Sequence, residues 1–165
     1  MSLRTVDADG TRRVARALAG LCVAGDVLLL IGDLGAGKTT FAQGFAAGLG
    51  IEEPVTSPTF TLVRQYPVSS DGAIRTLLHA DVYRLDHIHE IVDLGLGELV
   101  EDHGVALVEW GDAAEPVLGR GSLAVELAAG AEVSDRTIEL TPLGPEWSDR
   151  WPAVAAAVAP WRAAP

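Results

Sequence analysis

The stretch that decides the fold is Val27-Leu28-Leu29-Leu30-Ile31, followed directly by Gly32-Asp33-Leu34-Gly35-Ala36-Gly37-Lys38-Thr39. The first five residues form a continuous apolar run, the pattern of a strand covered on both faces at the centre of an α/β sheet. The next eight match G-x-x-x-x-G-K-[ST]. Helical spacing then resumes from Lys38 to Leu49, with Phe41, Phe45 and Leu49 in phase and Gly50 as the stop. Strand, glycine loop and helix is the context the motif requires. Glycines let successive backbone N–H groups point inward as an anion nest, and the helix N-terminus adds the positive end of its dipole. Asp33, Leu34, Gly35, Ala36, Gly37, Lys38, Thr39 and Thr40 are therefore expected to bind the phosphates of a nucleotide. Lys38 would reach the β- and γ-phosphates, and the Thr39 hydroxyl would ligate Mg²⁺. Lys38 is the only lysine of the chain. Given that lysine, two glycines and a Ser/Thr at these offsets arise by chance about once in a thousand at this composition.

A phosphate loop needs a carboxylate at the end of a neighbouring strand to help hold Mg²⁺. Two fit. Asp81 ends Thr76-Leu77-Leu78-His79-Ala80, and Glu109 ends Val105-Ala106-Leu107-Val108. Either could bind the metal directly or through water, or position an attacking water. Each could equally be a strand-end carboxylate capping a turn. His79 shares a strand face with Asp81, and the alternative for it is a packed strand residue. His87 and His89 sit at a polar helix start, and no cysteine or histidine spacing makes a zinc site. Trp110 is read as either a base-stacking surface or core.

Outward from this centre, Asp9 to Ala19 has amphipathic helical spacing ended near Gly25. Thr59 to Pro67 and Ile74 to Val82 read as a hairpin across the turn Ser69-Ser70-Asp71-Gly72. Ile88 to Val100 reads as a helix interrupted by Gly95 and Gly97. Leu123 to Leu127 and Thr137 to Leu140 are β-type runs, and Glu146 to Trp161 a helix broken by Pro152 and Pro160. The expectation is one domain over residues 1–165, a P-loop NTPase α/β fold with a mixed parallel and antiparallel sheet flanked by helices. The 165 residues are 48% hydrophobic and 21% charged, which excludes a disordered chain. One cysteine, Cys22, rules out an internal disulfide and makes a reducing compartment the default. With no signal-peptide layout and no apolar run of membrane-spanning length, a cytoplasmic protein is expected. Twelve basic and 23 acidic side chains give −11, which opposes phosphate-backbone binding and argues against a free-standing nucleic-acid binder.

Among nucleotide-binding classes, a GTPase reading guanine through Asn/Thr-Lys-x-Asp is excluded, because the only lysine is already in the loop. A small-molecule kinase transferring the γ-phosphate stays open, although no arginine cluster marks a lid. So does a nucleotide-gated binding module without turnover of its own.

Four segments in order carry a resemblance. They are Gly32-Asp33-Leu34-Gly35-Ala36-Gly37-Lys38-Thr39-Thr40, Ser57-Pro58-Thr59-Phe60-Thr61-Leu62-Val63, His79-Ala80-Asp81-Val82-Tyr83-Arg84-Leu85 and Leu107-Val108-Glu109-Trp110. Together they resemble the bacterial TsaE family, the ATPases of tRNA threonylcarbamoyladenosine biosynthesis. The P-loop is shared by many families, whereas the three other segments in this order are specific. The likeness is strong from Leu28 to Trp110, and beyond Asp112 no motif can be placed. The resemblance implies a weak Mg²⁺-dependent ATPase, with ATP and Mg²⁺ as cofactors. Its partners would be the threonylcarbamoyl transferase and its pseudo-enzyme companion, which modify the adenosine beside the anticodon; from the net charge of −11, tRNA is expected to be met only indirectly, and from the lack of a long apolar run no membrane is expected. By match of motif, Lys38 and Thr39 would contact phosphate and metal. Thr59 and Thr61 would belong to a switch segment, with Thr61 placed among the catalytic residues beside Lys38, Asp81 and Glu109. Thr39, Asp81 and Glu109 would form the metal set. Ser57-Pro58 suits an extended entry to that segment, because the residue before proline is pushed out of the α region.

Overall fold

A computed structural model describes residues 1–58, 62–69, 72–83, 85, 88–118 and 121–163. Its elements in chain order are β1 (Ser2–Thr5), α1 (Ala8–Ala19), β2 (Val27–Ile31), α2 (Lys38–Gly48), β3 (Val63–Pro67), β4 (Thr76–Asp81), α3 (Ile88–Asp93), α4 (Leu96–Glu101), β5 (Gly104–Glu109), α5 (Gly111–Leu118), β6 (Leu123–Ala129), β7 (Arg136–Pro142) and α6 (Pro145–Ala157), closed by a 3-10 turn at Ala159–Trp161. The strands make one mixed sheet in the order β1-β7-β6-β2-β5-β4-β3. β2 runs parallel to β5 and β6, and β4 runs parallel to β5. The outer pairs β3–β4, β6–β7 and β1–β7 are antiparallel. The α/β fold with a mixed sheet flanked by helices is the one expected.

The apolar run of β2 is central because it has a face on each side to bury. Leu28 and Leu30 belong to a core with Val14 and Leu18 of α1, Phe41 and Phe45 of α2, and Trp147 and Val154 of α6. Leu29 points the other way, into a second core with Ile91, Leu96, Val100 and Ala114 of α3 to α5. Asp7 starts α1, its Oδ1 accepting from the Gly10 N–H at 2.6 Å. α1 and α2 approach so closely at Gly44 that a Cβ there would overlap the Arg12 backbone.

Several expectations are corrected. β1 has only four residues and one strongly apolar side chain, so no pattern announces it; pairing with β7 makes it a strand, and Leu3 is fully buried. The interruption expected at Gly95 is present and divides Ile88 to Val100 into α3 and α4, whereas Gly97 lies inside α4 and does not interrupt it. α5 has no counterpart among the expected elements; it starts on the residue after Trp110 and packs on β2. Pro152 does not break α6, which runs from Pro145 to Ala157. Trp147 and Val154, both fully buried, anchor that helix on either side of the proline. Arg150 adds a bidentate pair to Asp26, both contacts at 2.7 Å. These anchors outweigh the roughly 3 kcal/mol an interior proline costs. The hairpin is present as β3 and β4, but Thr59, Phe60 and Thr61 lie outside the described residues, as do Arg84 and His87.

Candidate functional site

Parallel strands place the ends of β2, β4 and β5 at one edge, where ligands of open α/β sheets bind. The register sets Asp81 level with Glu109, and Glu109 level with Leu30 of β2. Residues level on parallel neighbours share a face, so Asp81 and Glu109 lie on the α2 side, beside the loop. Glycine is required where that loop leaves β2. Gly32 has φ +141°, and a Cβ there would drive into the Leu127 carbonyl of β6. Gly37 then opens α2, whose first residue is Lys38.

Lys38 is 5% exposed and folds back over the loop. Its ammonium donates to the carbonyls of Gly32 at 2.5 Å and Asp33 at 2.9 Å, and lies 4.0 Å from the centre of the Trp110 ring. Burial pulls the Lys38 ammonium below the ordinary lysine range, while the carboxylates of Glu109, Asp81, Asp33 and Asp112 act in the opposite direction. Next to it, Thr39 Oγ1 donates to Glu109 Oε1 at 3.3 Å. The same oxygen lies 2.8 Å from His79 Nε2. Asp81 is buried, and its Oδ1 accepts from the Tyr83 N–H at 3.0 Å.

Lys38, Thr39, Asp81 and Glu109 line a cavity of about 440 Å³ with Thr40, Ser57 and the aromatic pair Tyr83–Trp110, whose rings are 4.6 Å apart. Trp110 has φ +61°, uncommon for a residue with a side chain, directly after Glu109. This backbone turn brings the indole over Lys38, while the residue also packs against the second core. Leu34 stands at the loop tip, 92% exposed. A second hollow of about 170 Å³ continues from Gly35, Gly37 and Thr40 to Ala8, Thr11, Ser134 and Arg136.

The structure thus brings together Lys38, Thr39, Asp81 and Glu109 from three separate segments. Thr61 lies outside the described residues. The flanks of that segment are joined by the Leu62 N–H donating to the Pro58 carbonyl at 2.9 Å, and the Asp81 N–H donates to the Leu62 carbonyl at 2.8 Å. His79 is both a packed strand residue and a partner of Glu109. Arg136 escapes the sequence reading. From β7 its Nε donates to the Ala36 carbonyl at 2.9 Å and its Nη2 to the Gly35 carbonyl at 3.2 Å, bracing the loop from outside. No local signal could have found it, since the partners are about a hundred residues apart in the chain.

Among the described residues no group of three or more His, Cys, Asp or Glu side chains forms a ready-made metal cage. The donors present are a hydroxyl and two carboxylates, all hard oxygens.

The model of the threonylcarbamoyl adenosine biosynthesis protein TsaE family matches residues 5–138. The chain belongs to the TsaE family. It is 44% identical over 141 residues to the tRNA threonylcarbamoyladenosine biosynthesis protein TsaE of Bacillus subtilis (strain 168), covering 86% of this chain and 85% of that one. The TsaE protein of Streptomyces coelicolor is 40% identical over 141 residues, with coverage of 83% and 93%. The crystal structure of Bacillus subtilis YdiB superposes with a TM-score of 0.74 at 35% identity, over 94% of both chains. Membership in the TsaE family connects the chain with tRNA threonylcarbamoyladenosine biosynthesis. Among the described residues, no helix is long and apolar enough to cross a membrane.

Proposed function

We propose that this chain is a Mg²⁺-dependent ATPase of low intrinsic turnover. It serves threonylcarbamoylation of the adenosine beside the anticodon through a partner transferase and its pseudo-enzyme companion. The observation that carries the nucleotide reading is the convergence of Lys38 and Thr39 with Asp81 and Glu109, which the β4–β5 register sets level at the loop. Loop N–H groups and the α2 N-terminus cradle the phosphates. Lys38 gives up the Gly32 and Asp33 carbonyls and the Trp110 face to pair with β- and γ-phosphate oxygens. The second hollow beside Thr40 offers room for the base end of ATP.

The donor set suits Mg²⁺, which keeps several waters and is held by one or two carboxylates together with substrate phosphates rather than by an all-protein cage. Thr39, Asp81 and Glu109 would hold it, and when bound it supplies charge neutralisation of the phosphates. Asp81 is tied to the turn after β4 through Tyr83, so it acts as a fixed anchor. Glu109 faces Thr39 across the loop, where it can orient the attacking water.

At −11 the chain is repelled by a phosphate backbone, so it meets tRNA only through its partners. Docking then rests on a basic surface of the partner complex, by charge complementarity. A cytoplasmic setting follows from that role.

Calorimetry of ATP with and without Mg²⁺, combined with phosphate release, tests the reading. Mg²⁺-dependent ATP binding with release of inorganic phosphate is expected. Transfer of the γ-phosphate to a small metabolite would overturn it in favour of a kinase, and failure to bind ATP would remove the nucleotide site altogether.

A further inference from the structure

Among the described residues, the contact between His79 and Glu109 is a buried polar pair at the site that the proposed function leaves without a role. His79 is fully buried on β4, and the β4–β5 register puts it on the face shared by Asp81, Leu107 and Glu109. Its Nε2 is 2.8 Å from Glu109 Oε1, while its Nδ1 is buried and has no partner among the described residues. A leucine or phenylalanine would fill such a strand position without leaving a polar atom unpaired, so packing alone does not call for an imidazole.

The hydrogen-bond chemistry fixes the donor. An ionised carboxylate only accepts, so Nε2 carries a hydrogen in this contact. The other tautomer would set two lone pairs against each other at 2.8 Å and strand an N–H in the core. Orphaned buried N–H groups are the rarer and costlier kind. Glu109 Oε1 is thereby held between a donor beneath it, His79, and a donor beside it, Thr39 Oγ1 at 3.3 Å. A glutamate has three side-chain torsions to lose. A rigid strand residue that fixes its head removes that cost before any nucleotide arrives.

We propose that His79 is a positioning residue for Glu109: its Nε2–H locks the carboxylate onto the phosphate loop and so sets the geometry in which Glu109 works. This rests on the nucleotide reading above and deepens it. Hydrogen-bond partners of metal-linked and catalytic carboxylates typically matter by about 10- to 100-fold when removed.

The test is a double-mutant cycle on the full chain. It uses His79→Leu, His79→Gln and Glu109→Ala, each His79 change also combined with Glu109→Ala, with turnover, Mg-ATP affinity and Tm measured for all. His79→Leu should lower turnover or Mg-ATP affinity about 10- to 100-fold. Glutamine, whose amide nitrogen can stand where Nε2 stands, should recover most of the loss. In the Glu109→Ala background, replacing His79 should change the remaining function by less than about 2-fold, because the partner is already gone. Equal losses with and without Glu109, or no recovery by glutamine, would overturn the proposal. Should His79→Leu fail to fold, the glutamine arm and nitrogen NMR of the wild-type imidazole still decide it. The spectra should show Nε2 protonated, with its signal moving on Glu109→Ala. An unprotonated Nε2, or indifference to Glu109→Ala, would overturn it. The NMR arm needs no nucleotide, so a chain that binds no Mg-ATP would sink the proposed function separately.

Discussion

Replacing Lys38 by methionine removes the ammonium and keeps most of the stem, which separates the phosphate role from packing. An ammonium about 4 Å from a phosphate charge gains roughly 4 kcal/mol at an effective dielectric of 20. Against this, the free protein already satisfies Lys38 with two carbonyls and the Trp110 face. Giving those up offsets about 1–2 kcal/mol. The net loss of about 2–3 kcal/mol corresponds to roughly 30- to 150-fold weaker Mg-ATP binding. The fold should be little affected, because the cation and its burial cost leave together; a Tm change below about 4 °C is expected. Lys38→Arg should also fail, since a planar guanidinium does not replace a compact ammonium in the nest. Alkaline pH offers a milder form of the same perturbation. Burial lowers the Lys38 value, so between the folded and unfolded values the native chain binds fewer protons and this group's contribution to stability rises with pH. Phosphate affinity should fall over that same interval, below the ordinary lysine range. Calorimetry across a pH series, with Tm in parallel, measures both. Wild-type affinity in Lys38→Met and Lys38→Arg would refute the reasoning.

The two acids should separate. Asp81→Ala is expected to weaken the Mg²⁺-dependent part of ATP affinity, whereas Glu109→Ala should cost turnover more than affinity; wild-type turnover in both would deny the pair any part in the reaction. Arg136→Ala releases the outer brace on Gly35 and Ala36 and should weaken nucleotide binding about 5-fold, mainly through faster release in stopped-flow, for about 1 kcal/mol from one partly buried and one exposed hydrogen bond. Gly44→Ala forces a Cβ into the Arg12 backbone and should cost about 1–3 kcal/mol in chemical denaturation. Gly97→Ala, with open space around it on the exposed face of α4, should instead be neutral or stabilising by up to about 1 kcal/mol.

The centre of the molecule is legible in the sequence because its signals are local. Five apolar residues, a glycine loop and a helix are consecutive, and a strand that ends in a carboxylate declares where that carboxylate will sit. Asp81 and Glu109 are each legible as a carboxylate at the end of a strand, and that they sit level on neighbouring strands comes from the register. What stays hidden depends on contacts distant in sequence. β1 is a strand only because β7 supplies its hydrogen-bond partners. α6 passes through Pro152 because Trp147, Arg150 and Val154 hold it from both sides. The brace from Arg136 and the His79–Glu109 contact follow from sheet order and register, which no hydrophobic period encodes. Trp110 is ambiguous for another reason: its positive φ, set where β5 hands over to α5, turns an apparent core residue over the Lys38 ammonium.

Under the proposed function, ATP turnover by this chain would serve tRNA modification carried out by a partner complex. The direct measurement is the number of modified adenosines formed per partner complex in a purified reaction supplied with tRNA and the activated threonylcarbamoyl donor. The reaction is run with this chain and ATP, with this chain and a non-hydrolysable ATP analogue, and with the Lys38→Met variant and ATP. Many products per complex with wild type and ATP, and no more than about one in the other two reactions, is the predicted result. Many products per complex in all three reactions would contradict the account.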